Sequence, residues 1–316
     1  MMFLDYFLTS VALGMTFLLG CTGEILTEKA GHLNLGIPGI MCIGGAFGCL
    51  ALKFCNGMPG ALVVPIAILV SLIGGLLMGA LYCFLTVTLK ANQNVTGLAM
   101  TIFGVGVTKY IMNGMAVNAF KNYLYALKYF RAPFSTMSNG LKYWGIMLYL
   151  AIGIAIAAAF VLSRTRVGLH LRAVGENPAT ADAVGINVTA YKYGATCIGS
   201  AIAALGGLYY IMDFMGSMEA YKTIEALGWL SVALVIFTLW RPVISIFGSI
   251  IFGMLYLAGT RIPTLLGINL GMSATPLLQM LPYLVTIIVL VIVSIKNKKE
   301  NQPPASLGLP YFREDR

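Results

Sequence analysis

Long uncharged stretches dominate this chain: Tyr6–Gly23, Leu33–Leu52, Phe54–Leu89, Ala91–Thr108, Tyr143–Ser163, Tyr193–Met212, Ala226–Trp240, Pro242–Thr260 and Ile262–Ile295. A helix needs about 20 apolar residues to cross a hydrocarbon core of about 30 Å, because each residue advances about 1.5 Å. Tyr143–Ser163 and Tyr193–Met212 fit that length directly. Phe54–Leu89 contains Asn56, Gly57, Pro59 and Gly60, which predicts a turn followed by a long helix from Ala61 to Leu89. Ile262–Ile295 is too long for one crossing. Its Pro263, Gly267, Asn269, Gly271 and Pro276 predict an irregular or re-entrant connection before a final helix near Leu278–Ile295. The expected fold is an all-α integral membrane protein, a polytopic bundle of about nine transmembrane helices with a range of about eight to ten. Only 10% of residues are charged, against about 25% in an average soluble domain. The alternating strands that a membrane barrel needs are absent from the sequence.

Basic residues in short loops tend to remain cytoplasmic. Lys296, Lys298 and Lys299 therefore place the C-terminus inside, and nine crossings also put Lys29, Lys90, Arg164, Arg166, Arg172 and Arg241 inside. Asp213, Glu219 and Glu225 fall outside. One segment resists: the loop over about 118–142 carries Lys121, Lys128, Arg131 and Lys142 without an acid, yet lands outside. Asp5 precedes the first apolar run with no basic residue and no small-residue cleavage site, so the first helix is expected to stay rather than be removed as a signal peptide.

The residue inventory excludes several function classes. The net charge of +9 sits at helix ends, where it anchors to the headgroups of a phospholipid bilayer, so nucleic-acid binding is not expected. No Gly-Lys dipeptide occurs, so the chain lacks the glycine-rich loop and lysine that cradle nucleotide phosphates. His32 and His170 are the only histidines, and neither has metal-ligand spacing. Six cysteines without a C-x-x-C pair predict small buried residues rather than a disulfide framework or zinc site. Proton-coupled pumps use intramembrane carboxylates as relays; here Glu24, Glu28 and Asp213 are expected at helix ends, which weakens a secondary-transport reading.

Two segments do not read as ordinary helices. In Glu24–Gly39, the residues Gly31, Gly36, Pro38 and Gly39 raise the cost of a continuous helix, by about 1 kcal/mol per glycine and about 3 kcal/mol per interior proline. This predicts either a break that lines a solute path or a cytoplasmic loop whose helix starts near Gly39. The second is the hydrophilic connection 164–191, centred on Gly175-Glu-Asn-Pro-Ala-Thr-Ala-Asp-Ala-Val-Gly185. Asn177 suits a helix cap, Pro178 the first helical position and Gly185 the left-handed residue after the end. They predict a short helix over Pro178–Val184. Such a helix is marginal in water without something packed on it, and a docked partner would supply that surface.

The stretches Thr27-Glu-Lys-Ala-Gly-His-Leu-Asn-Leu-Gly36, Asn92-Gln-Asn-Val-Thr-Gly97 and Gly168-Leu-His-Leu-Arg-Ala-Val-Gly-Glu-Asn-Pro178 carry a family resemblance. It continues through Ala183-Val-Gly-Ile-Asn-Val188, Ala204-Leu-Gly-Gly207 and Val232-Ala-Leu-Val-Ile-Phe-Thr-Leu-Trp-Arg-Pro242. The chain resembles permease subunits of ABC importers for nucleosides and simple sugars, a group that includes ribose and branched-chain amino-acid permeases. The resemblance implies one permease domain over 1–298, with a cytoplasmic coupling loop over 164–191 and a cytoplasmic tail over 299–316. It implies a coupling helix that docks on an ABC ATPase subunit, with Glu176, Asn177, Pro178, Ala181, Asp182 and Gly185 as its residues. It further implies a second related permease subunit, an extracytoplasmic substrate-binding protein or lipoprotein, and a prokaryotic cell membrane. ATP and Mg would bind the partner ATPase, with no cofactor on this chain. Similar permeases usually carry a glutamate where this chain has Pro38, so that carboxylate's role is lost or moved here.

A polar, planar solute calls for amides, hydroxyls and aromatics along its path. The candidates are Asn34, Asn94, Thr96, Phe103, Trp229 and Ser231, each of which could equally serve helix packing. The expected function is transport of a small polar solute, a nucleoside first, with a simple sugar or flavin-like compound as alternatives. An ion-coupled secondary transporter is the rival from another class.

Overall fold

The computed structural model describes residues 2–55, 58–115, 144–266, 278, 280–296 and 302–312. The expected basic loop over 118–142 and most of the expected irregular connection, 267–277, lie outside these residues. Every regular element among the described residues is helical. In chain order they are α1 (Met2–Lys29), α2 (Ile37–Phe54), α3 (Gly60–Cys83), α4 (Gln93–Met115), α5 (Ile146–Arg164), α6 (Arg166–Glu176), α7 (Pro178–Ala183), α8 (Val188–Tyr209), α9 (Ile224–Phe237), α10 (Pro242–Leu266) and α11 (Leu281–Lys296). A π-helical turn, Phe84–Thr88, extends α3, and another, Tyr210–Met215, extends α8. A 3-10 turn, Met218–Thr223, leads into α9.

Eight helices among the described residues are long and apolar enough to cross a membrane, and the shorter apolar α11 stands where the expected last crossing lies. The protein is a polytopic, all-helical membrane protein. α1 and α8 form its centre: they pack on each other, α1 also meets α10, α9 and α5, and α8 also meets α2 and α3. α4 packs on α2, and α11 packs on α9 and α10. Because lipid tails are as apolar as leucine, close backbone approach rather than hydrophobic sorting drives such contacts. Gly75 shows this on α3, where a Cβ would stand 2.5 Å from the Ser200 carbonyl oxygen of α8.

One end of the bundle gathers the C-terminal ends of α1, α3 and α9 with α6, α7 and residues 302–312, through contacts such as Ser306 N to Gly175 O at 3.0 Å and Lys90 Nζ to Tyr311 O at 2.6 Å.

One expectation changes. α1 does not stop where charge begins at Glu24 but runs on to Lys29, and Glu24, Glu28 and Asp213 are buried. The helix carries its acids inward because they find donors. Asn34 N reaches Glu24 Oε1 at 3.0 Å, and the Trp240 indole N–H donates to Glu28. The expected break falls at 30–36, and Pro38 sits just past it in the first turn of α2, where no N–H is needed. Five cysteines are buried and Cys197 half-buried, all as free thiols.

Candidate functional site

The site is built from two neighbouring pieces of chain. The first is the non-helical link 30–36 between α1 and α2. Gly31 takes a left-handed φ of +74°, a conformation that costs other residues about 1–2 kcal/mol. His32 and Asn34 are fully buried, so the link is not a solvated loop. Buried backbone groups must find partners, and side chains from three helices and from Asn34 of the link itself provide them. Leu33 N donates to Gln93 Oε1 at 2.8 Å, and the Tyr82 hydroxyl donates to Leu33 O. The Thr101 hydroxyl donates to Leu35 O at 2.9 Å, and Gly36 N to Asn34 Oδ1 at 2.9 Å. Glu24 serves Asn34 N, so a carboxylate from α1 supports the link although position 38 is proline.

His32 pins the link to α8 and to the π turn after α3. Its Nδ1 lies 2.8 Å from Thr196 Oγ1, and its Nε2 lies 2.8 Å from Thr86 Oγ1. The Thr86 hydroxyl spends its hydrogen on Tyr82 O at 2.7 Å, so it accepts from Nε2–H, and Nδ1 accepts from Thr196. That is the arrangement of a neutral imidazole with its proton on Nε2. Burial, with the Lys192 charge nearby, holds the His32 pKa down at about 3.

The second piece is the α6–α7 connection. Thr165 Oγ1 accepts from Gly168 N at 3.1 Å and starts α6. Asn177 Oδ1 accepts from Thr180 N at 3.0 Å, Pro178 opens α7, and Gly185 leaves it at φ +86°. α7 is six residues long, Pro178–Ala183, with Val184 just past its end rather than its last residue. Asn187 then caps α8 through Ala190 N at 3.0 Å. Ala181 lies beneath the helix with Val174 and Val188, so it holds α7 down on the body. Glu176, Asn177, Thr180, Val184 and Gly185 are exposed, Pro178 and Asp182 half so.

The other sequence candidates are placed as follows. Asn34 is central to the buried link, and its Nδ2 has no hydrogen-bond partner among the described residues. Thr96 is buried in the first turns of α4, the helix whose Gln93 and Thr101 hold the link. Asn94 and Phe103 are exposed on the same helix. Trp229 is half-buried on α9, whose Gly228 faces Pro38 closely. Ser231 is buried and donates to Leu227 O at 3.0 Å within its own helix. His32, Tyr82 and Gln93 were not among the candidates. Their signal was present as polar side chains in or beside apolar stretches.

Comparison with known proteins matches this architecture over nearly its whole length. The model of a family described as branched-chain amino acid transport system / permease component matches residues 6–293. The nucleoside ABC transporter permease protein NupC of Lactococcus lactis is 32% identical over 85% of both chains. The putative glucose ABC transporter permease protein TsgC13 of Haloferax volcanii is 30% identical over 96% of both. The guanosine ABC transporter permease protein NupQ of Bacillus subtilis is 26% identical over 95% of this chain and 93% of its own. The protein belongs to this family of transport-system permease components and is a membrane-spanning ABC importer permease subunit.

Proposed function

We propose that this subunit forms, with a second related permease chain, the path by which a nucleoside enters the cell. ATP, with Mg, is hydrolysed on a separate ATPase subunit, and an extracytoplasmic binding protein or lipoprotein delivers the solute. The observation that carries the reading is the pairing of an outward-facing, three-signal capped helix, α7, with a buried polar link at the same end of the bundle. α7 has too few residues to bury a core, yet its cap and exit are built for one geometry. A docked ATPase explains that investment in a helix otherwise marginal in water. On this reading the end carrying α7, Lys90, Arg172 and Arg241 faces the cytoplasm, in line with the excess of basic residues there. The C-terminal segment shares that side.

ATP-driven closure moves α7, and the link 30–36 with α2 and α4 changes register so that the solute path opens to the other side. The solute meets amides and hydroxyls rather than a tight charged site, which lets it leave. The nucleoside assignment follows from the relatives named for nucleosides, NupC and NupQ; the glucose-named relative TsgC13 makes a simple sugar the second reading.

The test is uptake of labelled nucleosides and of labelled glucose by proteoliposomes holding the full complex, with ATP supplied to the ATPase face. Nucleoside uptake that needs ATP and the ATPase chain supports the reading. Glucose uptake alone shifts the substrate, and uptake by the permease alone along an ion gradient would make it a secondary transporter.

A further inference from the structure

Residues 302–312 lie beyond the last crossing, yet they are threaded into the site. Pro304 and Ser306 are buried. Ser306 donates twice to Gly175 O at the end of α6, from its backbone N at 3.0 Å and its hydroxyl at 2.6 Å. The same hydroxyl packs on Gly31 of the link, where a Cβ would come within 2.5 Å of it. The segment then turns at Gly308, φ +78°, beside Leu33. Leu309 O accepts from Gln93 Nε2 at 3.4 Å, and Gln93 Oε1 in turn holds Leu33 N. Lys90 Nζ donates to Tyr311 O at 2.6 Å and stands 5.7 Å from the Phe312 ring centroid. The Tyr311 hydroxyl closes the circuit by donating to Asp182 Oδ2 of α7 at 2.8 Å. Its ring packs with Val174, Ala181 and Val188 under α7.

We propose that segment 302–312 is a transmission strap that couples movement of α7 to the buried link 30–36, an inference that rests on the permease reading above. The geometry favours transmission over simple tethering because the strap touches both moving parts and the polar residues between them. Tyr311 grips Asp182 on α7, Ser306 grips the α6 end beside Gly31, and Gln93 bridges the strap to Leu33. Without the strap, α7 has covalent connections only to α6 and α8, and its displacement can be absorbed by the left-handed turn at Gly185. With it, displacement of Asp182 pulls on Tyr311, and through Ser306 beside Gly31 and Gln93 at Leu33 on the link.

The test compares the complete complex carrying wild-type permease, a chain ending at residue 301, and Tyr311→Phe, reading ATP hydrolysis, solute uptake and ATPase co-purification in the same preparation. The strap account expects both variants to retain the ATPase and to hydrolyse ATP, with solute moved per ATP falling at least about fivefold in the truncation and about threefold in Tyr311→Phe. Unchanged stoichiometry in Tyr311→Phe and in the truncation overturns it. So does a truncation that loses the ATPase or unfolds while Tyr311→Phe behaves as wild type, since the tail would then serve assembly only. Wild-type complex without ATP-dependent uptake counts instead against the permease reading, so the two failures are distinct.

Discussion

Trp240 reaches from the turn between α9 and α10 to donate its indole N–H to the Glu28 carboxylate near the end of α1. The turn is strained, because Leu239 at φ +54° and Trp240 at φ +55° both adopt the left-handed conformation without being glycine. Both partners are buried, so the contact offsets that strain and gives a buried acid a donor.

Trp240→Phe keeps an aromatic ring, though a smaller one, and removes the donor. Leaving a buried carboxylate oxygen unsatisfied costs about 1–3 kcal/mol. Thermal unfolding in detergent is expected to fall accordingly, and an unchanged midpoint shows that the contact holds nothing together.

Glycines divide into two groups by what a Cβ would meet. At Gly207 on α8 it would collide with the Met41 carbonyl oxygen of α2, a backbone atom that cannot move aside; at Gly153 on α5 it meets nothing within 4 Å. Gly207→Ala is expected to destabilise by about 1–3 kcal/mol through forced separation of the helices. Gly153→Ala is expected to stabilise by up to about 1 kcal/mol through helix propensity. Equal unfolding midpoints for the two variants are incompatible with the α2–α8 packing described.

His32 makes stability depend on pH in a defined direction. Its folded pKa is held near about 3, below the ordinary value of 6.5, by burial and by Lys192. The unfolded chain therefore takes up a proton first as pH falls. The contribution is complete above about pH 6.5 and is lost on acidification at about 1.4 kcal/mol per pH unit, or about 2 kcal/mol by pH 5. Thermal unfolding between pH 7.5 and pH 5 should be steeper for the wild type than for His32→Gln, which keeps an acceptor and a donor but does not titrate. Parallel slopes would remove His32 as the titrating group.

Asn177→Ala tests the α7 cap. Loss of the bond to Thr180 N is expected to cost the helix about 1 kcal/mol. Amide exchange over 179–184 should quicken while that of α8 stays unchanged. Faster exchange throughout both helices would mean that α7 and α8 open together.

The membrane fold was legible because charge is excluded from hydrocarbon: each crossing holds most of an uncharged run, although α1 continues past its run to Lys29 and α11 takes only the last part of Ile262–Ile295. α7 was legible because Asn177, Pro178 and Gly185 each act locally, through a cap, a missing N–H and a left-handed turn. What could not be read is what depends on distant partners. Glu24 and Glu28 mark a helix end by their charge, and only Asn34 N and Trp240 make them interior residues. Ala181 reads as one more small residue of a short helix, yet it is buried against Val174 and Val188. The role of Gln93 depends on contacts with residue 33 on one side and residue 309 on the other, a span that no local pattern encodes.

The most direct measurement is co-purification of the ATPase subunit with detergent-solubilised permease, comparing wild type with Thr180→Arg and Val184→Asp, both at exposed positions on or beside α7. The account predicts stable capture by the wild type and loss of capture by both variants, with their thermal unfolding unchanged. Capture by the variants at the wild-type level would contradict it, since α7 would then not be the surface on which the ATPase docks.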